Sequence, residues 1–150
     1  MWAPDVYQGA PTAVTAFISA GSKAAGFAVL MRIFMNFFGL YVNWVDLIVF
    51  ISIFTMTVGN IIAISQTDIK RMLAYSSIAQ AGYMLIGFVV GSASGMEGVL
   101  YYIFAYALMN LGAFGCVILV SNSIKSESIE DYAGLYRRDP VSAFVLTIFL

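Results

Sequence analysis

Histidine is absent from the sequence, cysteine occurs once, and charged residues make up only 10% of the 150 positions. Without histidine, the chain lacks the commonest metal ligand and the usual proton carrier near neutral pH. The single cysteine, Cys116, has no partner for a disulfide and no second cysteine for an iron–sulfur or zinc motif. It lies in an apolar run, which is typical of a small core residue. We therefore expect no cofactor and no electron transfer in this chain, and any proton chemistry falls to other side chains.

The scarcity of charge also excludes an ordinary soluble domain, in which about a quarter of the residues are charged. Seven Lys and Arg with eight Asp and Glu cannot cover the surface of a globular core, while 61% of the residues are hydrophobic. The net charge of −1 provides neither a basic face for nucleic acid nor an acidic tail. Lipid must therefore solvate much of this chain.

Five apolar runs separate the charged segments, at about residues 12–35, 47–65, 72–91, 99–120 and 141–150. Each of the first four is long enough to cross about 30 Å of hydrocarbon as a helix that rises about 1.5 Å per residue. The runs are continuous rather than alternating, which favours helices over a β-barrel. We predict an all-α membrane protein with four complete transmembrane helices and an incomplete fifth.

The fifth run stops after ten residues, which as a helix reach about half of the bilayer thickness. We therefore expect the chain to be a single transmembrane region that belongs to a longer subunit. Met1 to Pro11 contains two prolines and no cationic segment, so it is predicted to be turn-rich rather than a signal peptide. Ser92 to Gly98 is predicted to be a small loop, and the other connectors are Asn36 to Asp46 and Gln66 to Arg71.

Basic residues are concentrated at one end of this topology. Residues 1–11, 66–71 and 121–140 lie on one side of the membrane in it. The basic residues of these segments are Lys70, Arg71, Lys125, Arg137 and Arg138, whereas the opposite loops have at most Arg32. By the positive-inside rule, the first side is cytoplasmic or its organellar equivalent.

Lys23 lies at the centre of the run from Thr12 to Met35. A lysine there costs about 2.5 to 3.5 kcal/mol on insertion scales, so another part of the protein must stabilise it. Burial disfavours the ammonium form relative to the neutral amine, which makes Lys23 a candidate proton relay. Its helix face carries small and polar residues that let helices or water approach, namely Thr15, Ser19, Ser22 and Gly26. The alternative is a lysine held in a structural ion pair, although no predicted span contains a carboxylate for it.

Three further polar stripes recur at helical spacing. They consist of Ser52, Thr55, Gly59 and Asn60; of Ser76, Gln80, Tyr83 and Gly87; and of Tyr102, Tyr106 and Asn110. Each stripe can line a hydrated path or can form helix–helix hydrogen bonds and a packing seam. Gln80 is the second candidate, as a relay or water-binding residue, because it lies near mid-span among small neighbours. Topology and headgroup contact explain Lys70 and Arg71.

Three stretches of the sequence resemble one known family. They are Trp2 to Thr12 (WAPDVYQGAPT), the pair Ser22-Lys23, and Gln66 to Ser77 (QTDIKRMLAYSS). They are similar to the antiporter-like membrane subunits of NADH:quinone oxidoreductase, respiratory complex I. The subunit N, or subunit 2, branch of that family is the one most similar at Met109 to Phe114, Asp131 to Tyr136 and Asp139-Pro140. The resemblance extends over essentially the whole chain in the right order.

The resemblance implies that this chain is a central part of a larger antiporter-like helix bundle. Lys23 then matches a lysine of the family's central polar axis, whose other lysines and glutamate would lie outside this chain. The position of Gln80 is often histidine in related subunits.

The activity that the resemblance implies is proton translocation coupled to quinone reduction elsewhere in the complex, through charge changes that alter the proton affinity of buried lysines. NADH, FMN, iron–sulfur clusters and quinone are expected in other subunits. The expected partners are other membrane subunits of complex I, the lipid bilayer and protons, with no nucleic acid. The expected location is a bacterial inner (plasma) membrane, or an organellar or thylakoid equivalent. A multisubunit cation/proton antiporter and a purely structural membrane subunit are the alternatives.

Overall fold

The computed structural model describes residues 2–37 and 44–150, and helices dominate both ranges. The helices are α1 (Trp2–Gly9), α2 (Thr12–Phe37), α3 (Trp44–Ile64), α4 (Ile69–Val90), α5 (Ala93–Ile124), α6 (Leu135–Arg138) and α7 (Pro140–Phe149), with a 3₁₀ turn at Ile129–Tyr132. Within the described ranges, the only β-type pairing is an isolated bridge between Asp68 and Ser128. The predicted all-α membrane fold is confirmed, because α2 to α5 are long and apolar enough to cross a membrane.

The N-terminal segment differs from the prediction, because Trp2–Gly9 is a helix rather than a turn-rich stretch. Pro4 is compatible with it because the first turn of a helix has no internal partner for its N–H groups, so the missing N–H of proline leaves no bond unmade. The main-chain oxygen of Pro11 then accepts the first hydrogen bonds of α2, from the N–H groups of Val14 and Thr15. The chain therefore bends between two helices at residues 10–11.

Side-chain caps explain why α4 and α5 begin earlier than the apolar runs. A carboxylate oxygen of Asp68 accepts a hydrogen bond from the N–H of Arg71 at 2.9 Å, which starts α4 at Ile69. Ser92 caps α5 through the N–H of Gly95 at 3.1 Å, so most of the loop predicted at Ser92 to Gly98 is helical. The connector predicted from Asn36 to Asp46 lies largely outside the described residues, since its residues 38–43 are not covered.

Helices α3 and α4 form an antiparallel pair that approaches closely at two glycines. Gly59 faces the backbone of Ala79, and Gly82 faces Met56 and the main-chain oxygen of Ser52. A side chain at either position would occupy space that the neighbouring helix already fills. The connector between the two helices is short. Together with the close contact at the glycines, it holds α4 against α3.

Helix α5 packs against both α2 and α4, and α7 packs against α5. The buried apolar side chains form two clusters on these helices. Cluster A contains Tyr7, Ala16, Leu73, Ala74, Ala113, Phe114, Val117 and Leu146, and cluster B contains Phe27, Met31, Met84, Phe88, Val99 and Tyr106. Large apolar side chains such as Phe17, Phe50 and Phe104 point outward, where lipid can solvate them. Residues between the clusters on α2, α4 and α5 therefore lie in a layer bounded by apolar packing on both sides.

Gly59→Ala tests the α3–α4 contact. Its Cβ would lie 2.9 Å from the main-chain nitrogen of Ala79, which is backbone and cannot move aside without shifting the helix. We expect the free energy of unfolding to fall by about 1 to 3 kcal/mol, as measured on the full-length protein in detergent by thermal unfolding. Gly115→Ala is the matched control, because nothing lies within 4 Å of its added Cβ. Equal stability of the two variants would contradict the close contact.

Candidate functional site

Lys23 lies on α2 and points into the layer between clusters A and B. Its Nζ donates hydrogen bonds to the main-chain oxygen of Ser77 on α4 and to the hydroxyl oxygen of Tyr106 on α5, the latter at 3.0 Å. The same nitrogen lies 4.7 Å from the centroid of the Tyr106 ring. Three helices therefore meet at the end of this one side chain.

The partners of Lys23 are neutral. Among the described residues, the salt bridges join Lys70 to Glu127 and Arg71 to Asp5, and no carboxylate lies within 4.0 Å of the Lys23 nitrogen. A lysine in an ion pair leaves an uncompensated buried anion when it loses its proton, whereas Lys23 leaves only neutral acceptors behind. The described residues therefore provide no ion pair that would hold Lys23 in its charged form.

Helix α5 contributes a row of polar side chains that pair with α2 and α4, which we call the polar row. It consists of Tyr102 paired with Gln80, Tyr106 with Lys23, and Asn110 with Ser19. The three α5 residues are spaced four apart, so about 6 Å of helix rise separates each pair from the next. Polar stripes that the sequence predicts on three separate helices are thus in contact along one line.

Gln80 belongs to this row, one turn from the Lys23 contact. Its side-chain oxygen accepts a hydrogen bond from the Tyr102 hydroxyl. A cavity of about 500 Å³ lies beside this pair, between α4 and α5, and Tyr83, Gly87, Gly95 and Tyr102 contribute to its lining. This cavity is open to the outside of the bundle, its lining is mostly apolar, and Gln80 is not part of the lining.

Other predicted stripe residues lie elsewhere. Ser22 donates to the main-chain oxygen of Ile18 on an exposed part of α2. On α3, the Ser52 hydroxyl donates to Gly82 at 2.7 Å, and the side chain of Asn60 donates to the Tyr83 hydroxyl at 3.2 Å. The α3 stripe therefore joins α3 to α4, which is the packing-seam alternative for that stripe. The contact made by Ser77 was missed, because a main-chain oxygen has no signature in the sequence.

Lys70 is buried, with only 4% of its surface exposed, whereas Lys23 is partly exposed. Its Nζ lies 2.8 Å from a carboxylate oxygen of Glu127 and donates to the main-chain oxygen of Ala10 at 3.4 Å. The prediction that headgroup contact explains Lys70 is wrong, because the side chain turns inward. The sequence held a usable signal, since Glu127 is an acidic residue in a segment that the topology places at the same end.

Three segments meet around Lys70, and we call this group the connector cluster, made of Asp5, Asp68, Lys70, Arg71 and Glu127. Arg71 bonds to Gln8 at 2.9 Å and to Asp5 at 3.3 Å, which joins α4 to α1. Backbone hydrogen bonds join residues 67–69 to residues 127–129 at 2.8 and 3.0 Å. The segments that the sequence predicts on one side of the membrane therefore contact one another at one end of the bundle.

Metal-binding side chains do not cluster in residues 2–37 and 44–150, where no three Cys, Asp or Glu side chains are placed to share an ion. The charged groups of the connector cluster are instead paired with one another or bonded to backbone. The site is thus a line of hydrogen-bonding groups with one amine, suited to proton exchange by its chemistry.

The whole chain matches one family profile, described as NADH:quinone oxidoreductase/Mrp antiporter, TM, over residues 1–150. NADH-quinone oxidoreductase subunit N of Desulforamulus reducens is 52% identical over 100% of this chain and 32% of its own length. Subunit N of Heliobacterium modesticaldum is 51% identical, and the chloroplastic NAD(P)H-quinone oxidoreductase subunit 2 of Mesostigma viride is 53% identical over 99% of this chain. The chain spans about a third of the length of these relatives.

A solved structure shows the same helix arrangement. It is a chain of the membrane-bound sulfane sulfur reductase, an archaeal respiratory membrane complex, and it superposes with a TM-score of 0.88 and 29% identity. The match covers 99% of this chain and 31% of that chain. The fold described above is therefore shared with a subunit of a multisubunit respiratory membrane complex.

Tyr132→Phe tests the connector end of the bundle. The Tyr132 hydroxyl is buried without a hydrogen bond to any described residue. Burial, with the nearby charges of Glu127 and Asp68, raises the pKa of Tyr132 to about 12. At pH 7 we expect the variant's free energy of unfolding to equal that of the unchanged protein or to exceed it by up to about 1 kcal/mol, because no bond is lost.

The raised pKa also fixes the sign of a pH effect. Tyr132 contributes stability that is fully present below the unfolded pKa of about 10 and is lost as pH rises through about 12. Thermal unfolding of the full-length protein in detergent should show a smaller loss of stability over this window in Tyr132→Phe. A variant that is less stable at pH 7 would contradict the unsatisfied hydroxyl.

Proposed function

Because the chain belongs to the NADH:quinone oxidoreductase/Mrp antiporter membrane family, we propose that it is part of a proton-translocating membrane subunit of NADH:quinone oxidoreductase. The observation that supports this function best is the environment of Lys23. Its amine lies between apolar clusters with neutral hydrogen-bond partners on two other helices. Such an amine can take up and release a proton without separating a buried ion pair.

In the proposed mechanism, Lys23 is the proton relay and Gln80 is a second, non-titrating member of the path. An amide cannot change its charge, but it both donates and accepts hydrogen bonds, so Gln80 can hold a water beside Tyr102. The proton thus moves along hydrogen-bonded groups of the polar row, with Lys23 as its only amine among the described residues.

The energy for translocation would come from elsewhere in the complex. We propose that quinone reduction in other subunits changes the charge near Lys23 and so its affinity for a proton. NADH, FMN, iron–sulfur clusters and quinone would belong to those subunits, because this chain has one cysteine and no histidine to bind redox centres. The proposed partners are the other membrane subunits of complex I and the lipid bilayer.

A multisubunit cation/proton antiporter remains the second candidate, since the family description names the Mrp antiporter as well. Against it, relatives about half identical to this chain are named as quinone oxidoreductase subunits. The two functions differ in what drives proton movement, which is NADH oxidation for the first and exchange for sodium or potassium for the second.

We propose a bacterial inner membrane, or an organellar or thylakoid equivalent, as the location. Residues 1–11, 66–71 and 121–140 would face the cytoplasm, supported by the positive-inside rule and by the basic residues at that end. The contacts within the connector cluster support placing the three segments on the same side.

Lys23→Met in the full-length subunit, assembled in its complex, tests the relay. Losing a positioned proton carrier slows its step by about a hundredfold or more, so the proton transfer through this subunit should be lost. We expect NADH-driven proton uptake into membrane vesicles to fall, while the amount of subunit in the membrane stays unchanged. Gln80→Leu should reduce uptake less, because no titrating group is removed.

Arg32→Gln is the matched control, because Arg32 lies on the same helix with an exposed side chain. It removes a cation of α2 without touching the polar row, and proton uptake should stay normal. Undiminished uptake by Lys23→Met would refute the relay. Proton exchange that depends on sodium or potassium and needs no NADH would instead favour the antiporter.

The proposed orientation can be tested with cysteines in a Cys116→Ala background, since the native Cys116 is buried. Ser123→Cys and Ala93→Cys place exposed thiols at opposite ends of α5. A membrane-impermeant maleimide should label Ser123→Cys from the cytoplasmic side only and Ala93→Cys from the other side only. The reverse pattern would overturn the orientation.

A further inference from the structure

Tyr106 contacts Lys23 through its hydroxyl group. The hydroxyl oxygen accepts a hydrogen bond from Nζ at 3.0 Å, and the ring centroid lies 4.7 Å from the same nitrogen. Both distances describe one contact, because a nitrogen so placed lies beyond the hydroxyl oxygen rather than over the ring face. This directional contact suits a hydrogen-bond donor of either charge.

We propose that Tyr106 is a positioning residue for Lys23, which stabilises the ammonium form through its hydroxyl and keeps the neutral amine in place by reversing the same hydrogen bond. This inference rests on the proposed function. A phenol can accept from an ammonium and can donate to a neutral amine, so one contact serves both protonation states. When Lys23 is neutral, the Tyr106 O–H would donate to the amine nitrogen.

Ser77 cannot do the same. Its contact with Lys23 is a main-chain oxygen, which only accepts hydrogen bonds. A neutral amine can still donate to it, but the lone pair of the amine then needs a donor from another side. Among the described partners of Lys23, Tyr106 alone has a proton to donate.

Tyr106 is held in place independently of Lys23. Only 6% of its surface is exposed, and its ring packs in cluster B. On α5, the neighbouring pairs of the polar row lie one turn to either side and anchor the helix to α4 through Gln80 and to α2 through Ser19. Loss of the proton from Lys23 therefore does not release the ring, which stays aimed at the amine.

Few ionisable groups of the described residues face this site. Tyr106 interacts electrostatically with Tyr7 of α1 and with Tyr102 on its own helix, and all three are phenols. From α4, Ser77 and Gln80 face Lys23 or its neighbours, and neither ionises. The nearest cation of α4 in sequence, Arg71, lies about 9 Å of helix rise from Ser77 and is paired with Asp5. Lys70, one residue further, is paired with Glu127.

The test uses the full-length subunit in the complete complex and measures the pH profile of proton uptake per NADH oxidised. Tyr106→Phe keeps the ring and removes the hydroxyl, and Tyr106→Leu removes both. In both variants the ammonium form of Lys23 loses a hydrogen-bond acceptor, so Lys23 should lose its proton at a lower pH. Proton uptake should therefore decline at a lower pH than in the unchanged protein. We expect this alkaline limb to move down by about one pH unit in Tyr106→Phe and by a similar amount in Tyr106→Leu, because both variants lose the hydroxyl.

Tyr101→Phe is the control, because Tyr101 precedes the row on α5 and is 76% exposed. Its pH profile should not move. Tyr106→Phe has nearly the shape of the native residue, so it decides the question even if Tyr106→Leu fails to assemble.

This design separates failure of the positioning role of Tyr106 from failure of the Lys23 relay. If Lys23→Met loses proton uptake but Tyr106→Phe keeps an unshifted pH profile, the positioning role of Tyr106 is overturned and the proposed function stands. A uniform drop in rate without a shift also overturns the positioning role, since it reports only altered packing. If Lys23→Met pumps normally, the Lys23 relay of the proposed function is refuted.

Discussion

The arrangement of this bundle depends on the requirement that polar groups in lipid find their partners inside the protein. Lys23 imposes that requirement most strongly, because its amine lies mid-way along an apolar helix. Its two partners come from α4 and α5, so α2 cannot satisfy it alone. Clusters A and B lie on either side of the Lys23 contact along the bundle, and the three helices must keep their register for the polar row to form.

Lys70 and Lys23 both turn into the bundle, but their partners differ in charge. Lys70 has a carboxylate at 2.8 Å and lies at the end of the bundle, where it joins α4 to the residues before α2 and after α5. The charges of Lys70 and Glu127 thus offset each other. Lys23 has only neutral partners among the described residues. Similar side chains on neighbouring helices are thus suited to different tasks.

Helix content and the polar stripes were predictable, because apolar run length and helical spacing are local properties of the sequence. The helix at Trp2–Gly9 and the early start of α5 were not predicted. The composition of these segments indicated turns, although Pro4 lies where a helix tolerates proline and Ser92 caps α5. The pairing of stripes could not be derived, because it depends on which helices touch. The contacts of Lys70 and Ser77 also depend on the fold. Lys70 turns inward toward an acid that is distant in sequence, and Ser77 contacts Lys23 through its main-chain oxygen.

The contacts of Lys23 offset the cost of placing its amine in the membrane without pairing it with an opposite charge. Placing a lysine at mid-membrane costs about 2.5 to 3.5 kcal/mol. A hydrogen bond to a charged group contributes about 1.5 to 3 kcal/mol, and Lys23 makes two such bonds, to Ser77 and to Tyr106. A carboxylate partner would strongly favour the ammonium form, and purely apolar surroundings would favour the neutral amine. Because the acceptors of Lys23 are neutral oxygens, charges elsewhere in the protein can act on the amine, which the proposed relay requires.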